Sequence, residues 1–294
     1  MVTRRGLLKL GIGAGAAAVA GRVGMAPAQE PMPYAPEATP PGVTANNLPV
    51  FVPGVGRDNW TRVVIPGLAA DGPLPPSSGS PESRFIAPAV FYRGDRASNR
   101  VYLTIDDGWS SSAVEQALAI GEQTGTRFTF FPVGTVVDGN PGLWARVAGA
   151  GHEIENHSYS HGYLSRLSDS AMRDQLRWQA GAVSRAVGGG YEPRFVRPPG
   201  GDGIFNYDPR FPSIALEMGM KVAMWDTDSN GWRLNPRTDG AAIAQVVANV
   251  FSTLRPGSIV VMHSISTDVA ALPRIIAGIR ERGLEPATLS QGIA

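Results

Sequence analysis

The stretch Val101-Tyr102-Leu103-Thr104-Ile105-Asp106-Asp107-Gly108 decides the fold. Its apolar, β-branched run reads as a strand, and it ends in two acids and a glycine. Outward from it, towards the C-terminus, strands and helices alternate. A helical pattern covers 112–123, a strand 127–133, a helix 143–150 and a short strand 151–156. Residues 169–187 form a clear helix, with Ser168 as N-cap and Gly188 to Gly190 as its stop. Strands follow at Phe195-Val196, 221–225 and 258–262, with helices at 241–254 and 269–282. Such alternation predicts parallel βαβ units, hence an α/β sheet or barrel. In those folds chemistry collects at the C-terminal ends of the strands.

Towards the N-terminus the texture is different. Residues 29–97 are rich in Pro, Gly, Ser and Asn, with short apolar pieces at 48–52 and 60–65 and no helical periodicity. They read as a linker or an arm wrapping over a main domain of 98–294. Residues 1–28 read as a signal peptide. Thr3-Arg4-Arg5-Gly6-Leu7-Leu8-Lys9 carries a twin-arginine pair, an Ala/Gly stretch runs to Ala20, and Ala26-Pro27-Ala28 offers a cleavage site. The expectation is export of the folded protein through a Tat route, with no membrane span once the signal is removed. Cleavage would take away Arg4, Arg5, Lys9 and Arg22 and no acid, turning a formal +1 into −3. Either value argues against a nucleic-acid partner.

The chain has 294 residues, enough for one large domain or two modest ones, and 43% of them are hydrophobic. It has no cysteine, which excludes disulfides and thiolate zinc sites. Any histidine chemistry must come from His152, His157, His161 and His263.

His157 and His161 stand four residues apart, a spacing that puts both imidazoles on one face of a helical turn, where a divalent cation can accept both. One carboxylate from Asp106-Asp107 would complete a His-His-Asp set with open positions for water and substrate; Asp-Asp-Gly is also good turn composition. Arg197, fixed beside Pro198 and Pro199, is placed to pair with a carboxylate and hold it ionised. His263 closes a strand, where a general acid could sit. His152 is read as structural.

In this order Thr104-Ile105-Asp106-Asp107-Gly108, His157-Ser-Tyr-Ser-His161, Arg197-Pro-Pro-Gly200, Asp228-Ser-Asn-Gly-Trp232 and Met262-His263 resemble the five motifs of polysaccharide deacetylases, carbohydrate esterase family 4 or the NodB-homology domain. The resemblance covers about 98–290 and implies a distorted (β/α) barrel. It implies a hydrolase that removes acetyl groups from N-acetylated or O-acetylated carbohydrate. Asp107, His157 and His161 match the metal ligands, most simply for zinc, with cobalt or nickel as alternatives. Asp106 matches the general base, Arg197 its partner and His263 the acid for the leaving group. The amide of Gly200 matches an oxyanion donor, and Trp232 and Met262 match the apolar wall around the acetyl methyl.

Two departures stand out. The family usually has an aspartate just before the tryptophan to support the catalytic histidine; this chain has Gly231. Either Asp226 or Asp228 is expected to reach His263 instead, or that histidine titrates lower. Gly200-Gly201 also replaces a common Tyr-Gly. Two other functions remain open from the sequence: hydrolysis of a non-sugar amide or cyclic imide, and carbohydrate binding without turnover.

Overall fold

The computed structural model describes residues 50–53, 60–63, 90–206 and 208–293. The signal-peptide reading and most of the 29–97 segment lie outside the described residues. Within that segment β1 (Val50–Pro53) and β2 (Trp60–Val63) pair antiparallel, and β3 (Val90–Phe91) joins a parallel sheet.

β4 (Arg100–Asp107) is the strand around which the rest is arranged. Helix α1 (Ser111–Thr124) follows, capped by Ser110 and stopped at Gly125, whose φ of 64° suits glycine. Next come β5 (Thr129–Pro132), α2 (Gly134–Gly139), α3 (Pro141–Gly149), β6 (Glu153–Ile154) and α4 (Asp169–Val187). As expected, the Ser168 hydroxyl caps α4 by accepting the Ala171 N–H, and Gly188 ends it at φ 87°. The chain continues through β7 (Phe195–Val196), α5 (Arg210–Glu217), β8 (Lys221–Ala223) and β9 (Thr227–Asp228). It ends with α6 (Gly240–Thr253), β10 (Ile259–His263), α7 (Ser266–Glu281) and β11 (Glu285–Ala287). Short α2, α5 and β11 were not expected.

One sheet runs β6-β5-β4-β10-β9, and a second runs β3-β8-β7. Every pairing between named strands in both is parallel. Two isolated bridges, Asn156 with Val196 and Arg93 with Ser258, link the two sheets. β4 pairs with β10 along one edge, and along the other with β11 at its start and β5 at its end. That split is the distortion of an otherwise barrel-like α/β arrangement.

Alternation along β4 sorts its side chains. Val101, Leu103 and Ile105 pack outward with buried residues of the helices, among them Val114, Trp144, Val183 and Ile276. Tyr102 faces inward with Phe131, Phe195, Ile259 and Leu289, and Thr104 and Asp106 share one inward partner, Arg197. No described helix is long and apolar enough to cross a membrane.

Candidate metal centre and its surroundings

The candidate residues gather at the C-terminal ends of β4, β7 and β10 and in the loop after β6. Register sets His263 opposite Asp106. The strand ends are tied together: Gly108 N–H donates to Ser264 Oγ at 2.7 Å, and Ser264 N–H donates to the Asp106 carbonyl at 3.1 Å.

Asp107 ends β4 with a left-handed backbone, φ 76°. Its Oδ1 stands 3.3 Å from His157 Nε2 and 3.2 Å from His161 Nε2. One ligand atom from each of the three lies within 4.8 Å of the others. His157 Nδ1 sits 2.7 Å from the Arg197 carbonyl. A carbonyl can only accept, so Nδ1 carries the proton and Nε2 keeps its lone pair towards Asp107. Two imidazoles and a carboxylate so placed are a donor set for a divalent cation, with open positions left over. Burial works to raise the Asp107 carboxyl; with no cation between them, protonated His157 and His161 donate to it, outweigh burial and hold the group well below the usual carboxylate range.

The histidine pair is not on a helix, contrary to the reading of its spacing. Ser158 and His161 adopt left-handed φ of 62° and 60°. Side chains fix this loop: Asn156 Oδ1 accepts the Ser158 N–H at 2.9 Å, Ser158 Oγ accepts the His161 N–H at 3.1 Å, and Gln175 Oε1 of α4 accepts the Tyr159 and Ser160 N–H groups. The ring centroids meet at 5.1 Å because of those bonds, not because of helical periodicity.

Asp106 and Arg197 form a direct ion pair, Oδ1 to Nη1 at 2.7 Å, although they are 91 residues apart. Arg197 is wholly buried, and the rest of its guanidinium is satisfied by Thr104 Oγ1 and the carbonyls of Ala223 and Met224. It also lies over the Phe131 ring at 4.3 Å. Burial pulls its pKa down and the Asp106 carboxylate opposes that. A charge so deep persists only with its partner in place.

Neither Asp226 nor Asp228 is hydrogen-bonded to His263, which corrects the sequence expectation; Asp228 acts on it through charge alone. Asp226 is held by Arg96 at 2.7 Å and by the Ile259 N–H at 3.1 Å. Asp228 accepts the Asn230 N–H at 2.7 Å. The partner is Asp268 in the first turn of α7. Its Oδ2 accepts the His263 backbone N–H at 2.8 Å and stands 3.7 Å from His263 Nδ1. Burial would lower the His263 pKa; the Asp268 interaction and the charges of Asp107 and Asp106 raise it to about 9. Sequence offered one clue to Asp268: an acid in the first turn of a helix, five residues beyond a strand-terminal histidine.

The remaining candidates divide. Gly200 lies in the turn after β7 with φ 62°, a backbone suited to glycine. Trp232 sits in a 3-10 turn after β9 with the Arg233 guanidinium over its ring. Met262 is fully buried on the helix-facing side of β10 with Val260 and Ile105, so alternation sends it away from the rim it was expected to line. His152 is structural: its Nδ1 accepts the Phe128 N–H and its ring stacks on Phe128. Trp109 was missed. It is 46% exposed and meets His161 edge-on at 5.9 Å, directly after Asp-Asp-Gly.

Residues 93–223 match the family described as polysaccharide deacetylase. A peptidoglycan-N-acetylglucosamine deacetylase of Bacillus cereus is 31% identical over 206 residues, 69% of this chain and 73% of that protein. The chain belongs to the polysaccharide deacetylase family. PgdA of Listeria monocytogenes, a peptidoglycan-N-acetylglucosamine deacetylase, is 29% identical over 248 residues, 83% of this chain but 48% of its own length. The chain therefore spans about half of that relative. The deacetylase fold also aligns with the crystal structure of BA3943 from Bacillus anthracis, described as a family 4 carbohydrate esterase pseudoenzyme. The TM-score is 0.64 at 27% identity, over 71% of this chain and 70% of that one. A mutant of that protein is described as having restored activity.

Proposed function

We propose that this chain is an exported deacetylase that hydrolyses the acetamide of N-acetylated sugar units in a cell-wall glycan such as peptidoglycan. Zinc held by Asp107, His157 and His161 is the cofactor this reading requires. The observation that carries it is the meeting, at one rim, of that donor set with the Asp106–Arg197 pair and with His263. When bound, the metal supplies Lewis acidity to water and to the scissile carbonyl. Asp106, oriented by Arg197, takes a proton from the attacking water. The Gly200 N–H faces charge developing on the carbonyl oxygen. His263, whose protonated form Asp268 favours, gives its proton to the departing amine. Trp109 stands beside the rim as a surface on which a sugar ring can stack.

The names of the relatives support peptidoglycan as substrate, and the twin-arginine segment supports export. A second reading, glycan binding without turnover, draws on the likeness to BA3943; the presence of all six polar residues weighs against it. Acetate release from peptidoglycan, chitin oligomers and acetylxylan decides. Turnover on peptidoglycan that a chelator abolishes and zinc, cobalt or nickel restores is the expected result. Retention of glycan binding without acetate release from any of the three would leave the binding reading.

A further inference from the structure

Gly231 and Asp268 contend for one small space beside His263. Gly231 opens the 3-10 turn Gly231–Arg233, and Asp268 lies in the first turn of α7. A Cβ added to Gly231 would land on the Asp268 carboxylate, 2.6 Å from its carbon. The Gly231 backbone does not demand glycine, for Gly231 is not among the glycines with positive φ. What excludes a side chain there is Asp268. Asp268 itself is fully buried. Its Oδ1 and the Nδ1 of His263 are both buried and without a hydrogen-bond partner among the described residues. A buried carboxylate is costly unless a donor or cation meets it, and the ring that stands 3.7 Å away is that of His263. A small rotation of the ring closes this gap, as polar pairs at active sites do when substrate binds.

We propose that Asp268 is the positioning residue of His263, holding its Nδ1–H so that Nε2 faces the acyl site, and that Gly231 is the vacancy which admits Asp268. The proposal rests on the reading of His263 as proton donor and goes beyond it. It assigns the orienting anion to α7 and makes side chains at 231 and a carboxylate at 268 mutually exclusive. A bare Gly231→Asp change is then harmful, because two carboxylates would occupy one space. In company with Asp268→Ala it is restorative, because the new carboxylate fills the place vacated.

Four proteins test this: wild type, Asp268→Ala, Gly231→Asp and the double variant, with Asp268→Asn added in case the alanine variant does not fold. The other charges facing His263 are Asp106 and Asp107 from β4 and Asp228 from β9, with Arg197 bound to Asp106; all are unchanged in the set. Asp268→Ala and Asp268→Asn are expected to lower kcat/KM by about 10- to 100-fold and to move the alkaline limb of the pH profile to lower pH. Gly231→Asp alone is also expected to fall at least tenfold, and the double variant to recover at least tenfold over the weaker single one. A second readout does not need turnover. Nitrogen NMR of metal-free protein above pH 9 should show the neutral His263 protonated at Nδ1 in the wild type and the double variant, and at Nε2 in Asp268→Ala. A wild type that releases no acetate would overturn the deacetylase reading and leave the tautomer to judge Asp268. A His263 tautomer indifferent to residue 268, or a double variant no better than its worse parent, would overturn this proposal.

Discussion

Two histidines, the buried His152 and the half-buried His263, are driven in opposite directions. His152 accepts the Phe128 N–H at 3.0 Å, stacks on the Phe128 ring at 5.3 Å and meets the edge of Phe130. Burial, aided by the charge of Arg127, brings its pKa down to about 4. Desolvation pushes His263 down as well, yet Asp268, Asp107 and Asp106 lift it to about 9. Burial therefore does not decide the charge of an imidazole here; the number of carboxylates facing it does. One environment makes a flat, neutral packing unit and the other a proton store.

Exchanging the roles by mutation should separate them most widely. His263→Gln is expected to lower kcat by about 10²- to 10⁴-fold. His152→Ala should leave kcat per folded molecule unchanged and cost about 2–4 kcal/mol, because it empties space between two aromatic rings. Steady-state acetate release and urea unfolding measured on both variants would break the comparison if the two effects coincided.

A smaller effect lies in the pH dependence of stability in protein stripped of divalent ions. His152 has a folded pKa near 4, below its ordinary 6.5, so its contribution is complete above pH 6.5 and is lost as pH falls through 4. His263 has a folded pKa near 9, so its contribution is complete below pH 6.5 and is lost as pH rises through 9. Each loss should be on the order of 1–3 kcal/mol. Urea midpoints across about pH 3.5–10 should decline less on the acid side in His152→Ala than in wild type, and less on the alkaline side in His263→Gln than in wild type.

The smallest expected effect sharpens the cause. Phe128→Leu keeps most of the volume and removes the stacked ring, at a cost of about 1 kcal/mol. With a looser, wetter neighbour the His152 pKa should rise towards 6.5 while that of His263 stays where it is. Proton NMR titration of the two ring signals reads both at once.

What could be read in the sequence follows from the range of each interaction. β4 and α4 were legible because an apolar run, the Ser168 cap and the Gly188 stop act within a few residues. The Asp106–Arg197 pair was legible because barrel topology brings strand ends together whatever their separation. His157 and His161 were found by spacing, but the wrong geometry was attached to it, since left-handed backbone at Ser158 and His161 leaves no trace in a periodicity. Asp268 was missed because its meaning depends on the empty space at Gly231, which exists only after α7 docks. Met262 was misplaced because motif matching ignores which face of β10 a residue occupies. β11 was missed because Glu285-Pro286-Ala287 has poor strand composition and pairs only along the start of β4.

The left-handed backbone at Asp107 and His161 bears on heredity. Asp, Asn and His are the side-chain-bearing residues that tolerate such φ values best. A single base change converts an Asp or a His codon into one for Asn, so the substitution that removes a candidate ligand at either position is also one the backbone accepts without strain. Ligation at this rim can be lost by drift while the barrel stays folded. Lineages on this scaffold can thus fall silent one nucleotide at a time and, by the same path in reverse, regain their voice.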